Sequence, residues 1–493
     1  MARSTRFIYA RLRLAISIYV DLCDDQWNVI KVTPAGWEVV SEDIPVRFRR
    51  SEGMRPLSMP QPVDKLRTGT VMERKKASVT VRPAGPITTE QVLQSLFRSH
   101  INIQNREHQI LVLTWLVAAF RPKGPYPILA FHGQQGSAKT TAQTLLKRLV
   151  DPSVAPMRTA PRDERDLMIS AKHSYVLGFD NFSNIPNWLS DALCRLVTGG
   201  GFATRQLYTD EKQTVFDGAR AIMFNGIDDI AERGDLLDRM LVVRCDTFDA
   251  AKRKPEEFLT MRFSALYPYV LGALLDVVAK TMAKYPEVQA DRGRFPNGLP
   301  RMADFAVWAT AAEEALGYES GEFIKAYEDN RQELRMLALE FSPTISRLIN
   351  WFSRWQRGGY QNKVTDWTGT HQDLLTMLEN DFQSRYTGVR TPKALSVEIA
   401  RAEPSLRALG FCIEHLPREA GTGRRRIRIW DSNAPPEKTE AEINKERRAL
   451  ADAYRAAHPD AIGSHQEMYA RAMKEKSLTA TTVTSSQADA AKA

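Results

Sequence analysis

A glycine-rich stretch from Gly133 to Thr141 has the residue types and the spacing of a loop that binds phosphate. In such a loop, backbone N–H groups surround the β-phosphate of a nucleotide, and a lysine neutralises the β and γ oxygens. Lys139 takes that place here, and the hydroxyl of Thr140 is offered to Mg²⁺. An apolar run precedes the stretch and a helical run follows it, so we predict a site for ATP and Mg²⁺ rather than a simple glycine turn. The full loop reads Gly133-Gln134-Gln135-Gly136-Ser137-Ala138-Lys139-Thr140-Thr141, with Ala138 where a last glycine is usual.

A second apolar run, from Ser174 to Phe179, leads into Asp180. The carboxyl end of a strand in a parallel sheet opens onto the phosphate crevice, where Asp180 could hold the water shell of Mg²⁺. The alternative is an aspartate that caps a turn. Asn181 follows, where many ATPases place a second acid. An asparagine can orient the attacking water but cannot take its proton, so the sequence assigns no general base.

A third apolar run ends at Asn225, and a fourth begins after Arg239. The amide of Asn225 could contact the γ-phosphate or the attacking water, although Asn225-Gly226 by itself indicates a tight turn. The guanidinium of Arg239 is suited to stabilising charge in phosphoryl transfer and can be supplied by a neighbouring subunit. A surface salt bridge is the alternative for this arginine.

Taken in order, Lys139, Asp180, Asn225 and Arg239 resemble the AAA+ ATPase core of superfamily 3 helicases. The resemblance is to the poxvirus-type and satellite-phage-type primase–helicases of viruses, plasmids and integrated elements, and it spans about 90–430. The segment DALCRLVTGGGFATRQLY (191–208) is similar to that group's stretch before a DNA-contacting hairpin. The resemblance implies a homo-hexameric ring with ATP between subunits, Arg239 acting in trans, and single-stranded DNA in the channel. Asn181 and Ala138 depart from the group's pattern and leave turnover open.

Two sets of basic residues are candidates for contact with DNA. The proposed hairpin carries two cations and an aromatic ring, which suit phosphates and a stacked base; an ordinary solvated hairpin is the alternative. The C-terminal unit has the order of a winged helix with a basic second wing strand, which would bind duplex DNA by its backbone or, alternatively, a protein. The residues are Arg205, Tyr208 and Lys212 on the hairpin, Lys393 and Arg401 on a helix, and Arg424, Arg425, Arg426 and Arg428 on the wing.

The elements that must position these residues follow from periodicity. Strands alternating with helices predict an α/β fold with a mainly parallel sheet, and the resemblance implies that this sheet is an AAA+ P-loop core. Short strands are predicted at 18–22, 27–32, 36–40 and 45–50, a hairpin from 202–208 and 214–224, and helices at 263–282 and 302–316. The C-terminal unit is predicted as three helices, His371–Phe382, Pro392–Arg401 and Pro404–Leu409, then strands 411–416 and 424–430.

The predicted domains are a small β-rich region (1–52), a Pro-containing, partly mobile linker (53–87), the ATPase core (88–250), a helical region (251–345), the winged helix (346–431), and a charged helix with a disordered tail (432–493).

Composition limits the class of protein. A chain of 493 residues should hold two or three domains. Its net charge of +9 favours a polyanionic partner, though a protein can be basic without one. Cys23, Cys194, Cys245 and Cys412 lie too far apart for a CxxC site, which suits a reducing cytoplasm. The apolar start, 7–20, is interrupted by arginines and is too short to span a bilayer, so no membrane partner is expected.

From these observations we predict that the protein is a DNA-dependent ATPase that translocates on or unwinds DNA during replication of a mobile element. The rival hypothesis is a nucleotide-switched DNA-binding or assembly protein with little turnover, which Asn181 favours. A small-molecule kinase is disfavoured by the basic C-terminal unit. Residues 1–87 are too short for a primase domain and leave room for a separate primase.

Overall fold

The structure is a computed structural model, and it describes most of the chain in two compact units. One unit comprises residues 1–348 and 374–408, and the other comprises 349–373 and 409–493. The described residues are 7–12, 15–66, 87–121, 123–182, 185–200, 202–205, 213–216, 218–226, 234–247, 255–357, 366–380, 388–418, 425–432, 440–458 and short pieces between 463 and 471.

The N-terminal region is a four-stranded antiparallel meander. Its strands are β1 (Phe7–Leu12), β2 (Ala15–Asp21), β3 (Val29–Thr33) and β4 (Gly36–Val40), each paired with the next along the chain. The β-rich prediction is therefore confirmed, but the predicted strand at 45–50 is wrong. That stretch joins no sheet in the described part of the chain, because the guanidinium of Arg50 turns to bind Asp21.

The central domain is built on a parallel sheet. Its strands lie in the order β10 (Met240–Arg244), β5 (Ile128–His132), β9 (Ala221–Asn225) and β6 (Val176–Phe179), and they pair in parallel throughout. Nearly every strand residue is buried, and strands covered on both faces read as continuous apolar runs, which is why the sequence pattern predicted them. The elements are α1 (Thr89–Ser99), α2 (Arg106–Ala119), β5 (Ile128–His132), α3 (Lys139–Val150), α4 (Glu164–His173), β6 (Val176–Phe179), α5 (Asn187–Thr198), β7 (Phe202–Arg205), β8 (Gln213–Phe216), β9 (Ala221–Asn225), α6 (Gly234–Leu237) and β10 (Met240–Arg244).

The described residues confirm the base of the predicted hairpin, and 206–212, with its turn, lie outside them. β7 and β8 form a separate two-stranded antiparallel sheet, with Arg205 opposite Gln213. The second predicted strand, 214–224, is in fact two elements. It breaks at Gly218, whose φ of 151° is left-handed backbone, and the chain then enters the parallel sheet as β9.

A helical region follows the sheet, as predicted. It contains α7 (Glu256–Ala290), α8 (Ala303–Leu316), α9 (Glu322–Phe341) and α10 (Pro343–Arg357). Among the described residues, one helix, α7, is long and apolar enough to cross a bilayer. Half of its apolar segment is buried inside the protein. Val270, Leu274 and Val277 belong to the main hydrophobic core, so packing accounts for the apolar composition.

The described half of the predicted linker is tied to α7. Leu57, Pro60 and Val63 are buried, and the N–H of Gln61 donates to Pro268 O at 2.9 Å. A β-carbon on Gly272 would lie 2.0 Å from Gln61 O, so this close approach needs glycine in the helix. Residues 67–86 lie outside the described part of the chain, and for them the predicted mobility stays a prediction.

The C-terminal elements differ in two ways from the prediction. They are β11 (Asp366–Thr370), α11 (His371–Glu379), α12 (Pro392–Ala408), β12 (Phe411–His415), β13 (Arg426–Asp431) and α13 (Glu440–Ala457). The second and third predicted helices are one helix, α12, which continues through Pro404. One face of α12, with Leu395, Ile399 and Leu406, is buried on both sides of that proline. The strand β11 was not predicted and completes an antiparallel sheet of order β11-β13-β12. Residues 472–493 of the predicted disordered tail lie outside the described part.

Candidate functional site

The loop between β5 and α3 has three residues in left-handed backbone. Gly133 has φ 149°, Gly136 has φ 82° and Ala138 has φ 63°. A β-carbon on Gly133 would lie 2.6 Å from Cys245 O, so a larger residue cannot occupy that position without displacing the backbone. Ala138 adopts the conformation for which glycine is usual, at a cost of roughly 1–2 kcal/mol, so the loop keeps its shape despite the departure seen in the sequence.

The start of α3 presents donors and a cation to this loop. Ala138 precedes the helix and has no side-chain oxygen to cap it, so the first-turn N–H groups are not satisfied by a side-chain cap. Lys139 is folded over the loop, and its Nζ donates to Gly133 O at 2.7 Å and to Gln134 O at 2.9 Å. The Oγ of Ser137 is buried and finds no hydrogen-bond partner in the part of the chain that the structure describes. These groups together form a cradle for an anion.

Three of the predicted residues meet beside this cradle. The hydroxyl of Thr140 donates to Asp180 Oδ1 at 3.0 Å, and Nδ2 of Asn225 donates to the same oxygen at 2.6 Å. β6 and β9 are neighbours in the sheet, so their carboxyl ends bring Asp180 and Asn225 together. The structure thus brings Thr140, Asp180 and Asn225 together at the carboxyl end of the sheet, while their roles towards Mg²⁺ and ATP stay predictions.

Sequence reasoning missed Gln143, which belongs to the same network. It is fully buried on α3, one turn after Lys139, and its Oε1 accepts from Asn225 Nδ2 at 2.7 Å. An available signal was its position four residues after the lysine, on the face of α3 that carries Leu146 towards the sheet. Gln143 holds the amide of Asn225 in one orientation.

The backbone conformation at position 181 partly explains why an asparagine occurs there. Its φ is 58°, a left-handed conformation that asparagine tolerates better than most residues with a side chain. Its backbone N–H donates to Asn225 Oδ1 at 2.7 Å, while the side chain is exposed. Gly226 is also left-handed, and a β-carbon there would lie 2.5 Å from Phe182 O. The backbone therefore bends at Gly226, and the contacts that Asn225 makes in this structure are with Asp180 and the Asn181 backbone; its contact with a γ-phosphate or water stays a prediction.

Arg239 does not join this cluster. It lies just before β10, and its carbonyl accepts from the N–H of Ile128 at the start of β5. This is the amino end of the strands, whereas the loop lies at their carboxyl end. Its Nη1 pairs with Asp235 at 2.8 Å and its side chain is 13% exposed. Burial would raise the pKa of the Asp235 carboxyl, but the hydrogen bond from Arg239 and the charges of Arg239 and Arg301 lower it overall. The salt bridge considered for Arg239 is thus formed within the chain.

The candidate DNA-contacting residues are only partly visible. Arg205 ends β7, but its side chain is not described; Tyr208, Lys212 and Arg424 lie outside the described residues. Lys393, Arg401 and Arg425 are exposed, and Arg426 is partly exposed.

Arg428 is engaged within its own sheet. Its Nε lies 2.8 Å from Asp366 Oδ2 across the β11–β13 pair, and this hydrogen bond raises the pKa of the arginine. Its guanidinium also lies over the ring of Trp430, 4.9 Å from the centroid. A salt-bridged arginine has less charge to offer to a phosphate, so Arg428 is the weakest of the wing candidates.

Comparisons with known proteins place the chain among replication proteins. A family model described as "Actinomycete integrative conjugative element replication protein" matches residues 93–334. The model of the C-terminal domain of the same protein, RepA, matches residues 355–443. No curated protein matches the chain.

Among solved structures, the chain is similar to the apo C-terminal region of NrS-1. One such structure has a TM-score of 0.34 and 13% identity over 81% of this chain and 94% of that one. Another, of residues 305–718, has a TM-score of 0.34 and 12% identity over 81% and 93% of the two chains. The two family models cover successive parts of one protein and together span most of this sequence, so the chain belongs to the RepA replication proteins of actinomycete integrative conjugative elements.

Proposed function

We propose that the protein is an ATP-dependent DNA helicase or translocase, a DNA-stimulated ATPase that acts in replication of an integrated element. The observation that carries this proposal is the meeting of Thr140, Asp180 and Asn225 beside a glycine-rich loop at the start of α3. Membership of a replication-protein family supplies the context. The likeness to the AAA+ core of superfamily 3 helicases supports the motor activity as an expectation.

The residues present fit ATP with Mg²⁺. The uncapped start of α3 and the N–H groups of the loop suit the phosphates, and Lys139 would exchange its bonds to the loop carbonyls for phosphate oxygens. The 3.0 Å contact between the hydroxyl of Thr140 and Asp180 brings together two oxygen ligands of the kind that Mg²⁺ prefers. When bound, Mg²⁺ would neutralise charge on the β and γ oxygens.

Proton transfer from the attacking water has no assigned acceptor. Asn181 is exposed at the edge of the cluster and can orient a water but cannot accept its proton. Asn225 has both ends of its amide engaged, so in this structure it orients Asp180 and the Asn181 backbone. We propose that it senses the γ-phosphate through these two contacts.

Completion of the site is assigned to a second copy of the chain. β5 separates Arg239 from the loop by four residue steps, about 13 Å, so this arginine cannot serve its own nucleotide. A ring, which we propose is a hexamer as in the resembling group, would bring Arg239 of one subunit to the nucleotide of the next. Arg239 would then have to exchange its bond to Asp235 for a phosphate.

DNA contact is assigned to two elements. The β7–β8 hairpin, with Arg205, Tyr208 and Lys212, would hold single-stranded DNA in the channel. The order α10-β11-α11-α12-β12-β13 and the three-stranded sheet support the proposal of a winged helix. We propose that it binds duplex DNA through Lys393, Arg401, Arg425 and Arg426. A separate primase would complete replication.

The second candidate is a nucleotide-switched DNA-binding protein with little turnover, and the exposed amide of Asn181 favours it. ATP hydrolysis by the purified chain, with and without single-stranded DNA, separates the two. We expect turnover that rises with DNA, that Lys139→Ala abolishes, and that Lys172→Ala, an exposed lysine on α4, leaves unchanged. Tight ATP binding without turnover in either condition would rule out the motor and favour the switch.

A further inference from the structure

The loop between β2 and β3 presents a tryptophan to solvent in a strained conformation. Trp27 is 51% exposed and has φ 58°, a left-handed conformation that bulky residues rarely adopt. Such strain persists only where surrounding contacts impose it, and it is often found at ligand-binding positions. Family models match only from residue 93 onwards, so no comparison assigns a role to this loop.

A buried ion pair braces one face of the ring. The carboxylate of Asp21 is completely buried and accepts from Arg50 Nε at 2.8 Å and from Arg50 Nη2 at 2.6 Å. The guanidinium fixed in this way lies 3.6 Å from the centroid of Trp27. Since Arg50 covers one face, the exposed half of the side chain includes the other face.

The loop itself is rigidly bonded. The carboxylate of Asp24 accepts from the backbone N–H of Asn28 at 2.9 Å and from its Nδ2 at 2.6 Å. The N–H of Leu22 donates to Asn28 O at 3.1 Å, which closes the loop at the ends of the two strands. A planar ligand that stacks on Trp27 would therefore meet a preorganised surface and not have to order it.

Exposed positive charge lies in the stretch that carries Arg50. Exposed and partly buried residues alternate along 45–50, so Arg47 and Arg49 share the solvent-facing side. Arg50 is neutralised by Asp21, but Arg47 and Arg49 form no salt bridge in the described part of the chain. An open aromatic face, with exposed arginines in the stretch that braces it, fits a base and the phosphates of the same strand.

We propose that Trp27, braced by Arg50, is a binding site for single-stranded nucleic acid outside the proposed ATPase core. One base stacks on the open face of Trp27, and the exposed arginines of the stretch 45–50, Arg47 and Arg49, attract the phosphates of the strand. The proposal does not depend on ATP turnover and adds a third contact to the hairpin and the C-terminal unit.

The test is binding of a labelled oligothymidine to the full chain without nucleotide, measured by fluorescence anisotropy. An abasic strand of the same length reports the phosphate contribution alone. We expect Trp27→Ala to weaken oligothymidine binding about 5- to 100-fold, the effect of losing one stacked base, and to leave abasic binding unchanged. Trp27→Phe should keep most of the affinity. Arg49→Gln should weaken both strands alike and reduce the dependence on salt.

Phe258→Ala is the matched control, because Phe258 is another exposed aromatic residue, 40% exposed, beside an arginine, Arg262. It should not change the affinity. Ultraviolet cross-linking to oligothymidine should place an adduct on the peptide that contains Trp27. Adducts confined to other peptides, or equal affinity of the wild type, Trp27→Ala and Trp27→Phe proteins, would overturn the proposal. Basal ATP hydrolysis by Trp27→Ala, measured in parallel, reports separately on the proposed motor.

Discussion

Asn225 determines how the residues of the candidate site are arranged. Its Nδ2 donates to Asp180 and to Gln143, and its Oδ1 accepts from the backbone of Asn181. It is 3% exposed, so these bonds are shielded from water and orient Asp180 towards Thr140. In a site for Mg²⁺, such a residue acts by positioning the group that carries the metal's water shell.

Replacing Asn225 by alanine should therefore raise the Mg²⁺ concentration needed for ATP turnover and lower the rate about 10- to 100-fold. The measurement is a Mg²⁺ titration of ATP hydrolysis. Asn330→Ala is the matched control, because Asn330 is equally buried and its side chain, among the described residues, bonds to the backbone of Val242 in β10. The control should lose stability and keep its Mg²⁺ requirement. An unchanged requirement in Asn225→Ala would contradict the positioning role.

At the scale of elements, α3 and β6 are tied together at both ends. Near the start of α3, Thr140 meets Asp180, which follows β6. At the other end, the buried pair of Lys147 and Asp151 closes the helix, and Asp151 Oδ2 accepts from the N–H of Val176 at the start of β6 at 3.0 Å. Two links at opposite ends keep the helix from sliding along the strand, which fixes the separation of the site residues.

Lys147→Met should lower the free energy of unfolding by about 3–5 kcal/mol, because it leaves the carboxylate of Asp151 buried without its cation. Urea unfolding followed by circular dichroism measures the change. Lys31→Met, which removes a partly exposed pair with Glu38, is the control and should cost about 0–1 kcal/mol. Equal effects of the two substitutions would show that the buried link does not hold α3 to β6.

At the scale of the whole molecule, the sheet places the loop at the carboxyl end of its strands and Arg239 at their amino end. If Arg239 acts on a neighbouring subunit as proposed, each chain would carry half of a shared site at each end of the sheet. Copies joined head to tail would complete such sites, and the contact closes into a ring if the rotation between copies allows it. In the proposed assembly, Arg239 would exchange its salt bridge with Asp235 for the nucleotide of a neighbouring subunit.

Mixing two inactive variants tests this arrangement. Lys139→Ala lacks the cation of the loop, and Arg239→Ala lacks the arginine. In a randomly mixed assembly, about a quarter of the interfaces would pair an intact loop with an intact arginine, so ATP hydrolysis should reappear to roughly that extent. Each variant alone should stay inactive. A mixture with no more activity than its parts would show that the site is complete within one chain or that Arg239 has another role.

Much of the fold could be predicted because it follows from local patterns. The buried strands of the parallel sheet are continuous apolar runs, and the glycine-rich loop has a fixed spacing between strand and helix. Errors fell where packing overrides a local preference. A separate helix was predicted to begin at Pro404, yet α12 continues through that residue. The stretch 45–50 alternates like a strand, yet it joins no described sheet and Arg50 binds Asp21.

The sequence alone determined the loop, the lysine and the polar residues at two strand ends, because these depend on spacing within short segments. Only the tertiary structure decided which of them meet. Asn225 and Gln143 are distant in the chain, and so are Trp27 and Arg50; their contacts arise from strand order and loop packing. The placement of Arg239 away from its own loop was likewise decided by the parallel pairing of β10 with β5, which sets the edge of the sheet at which each residue lies.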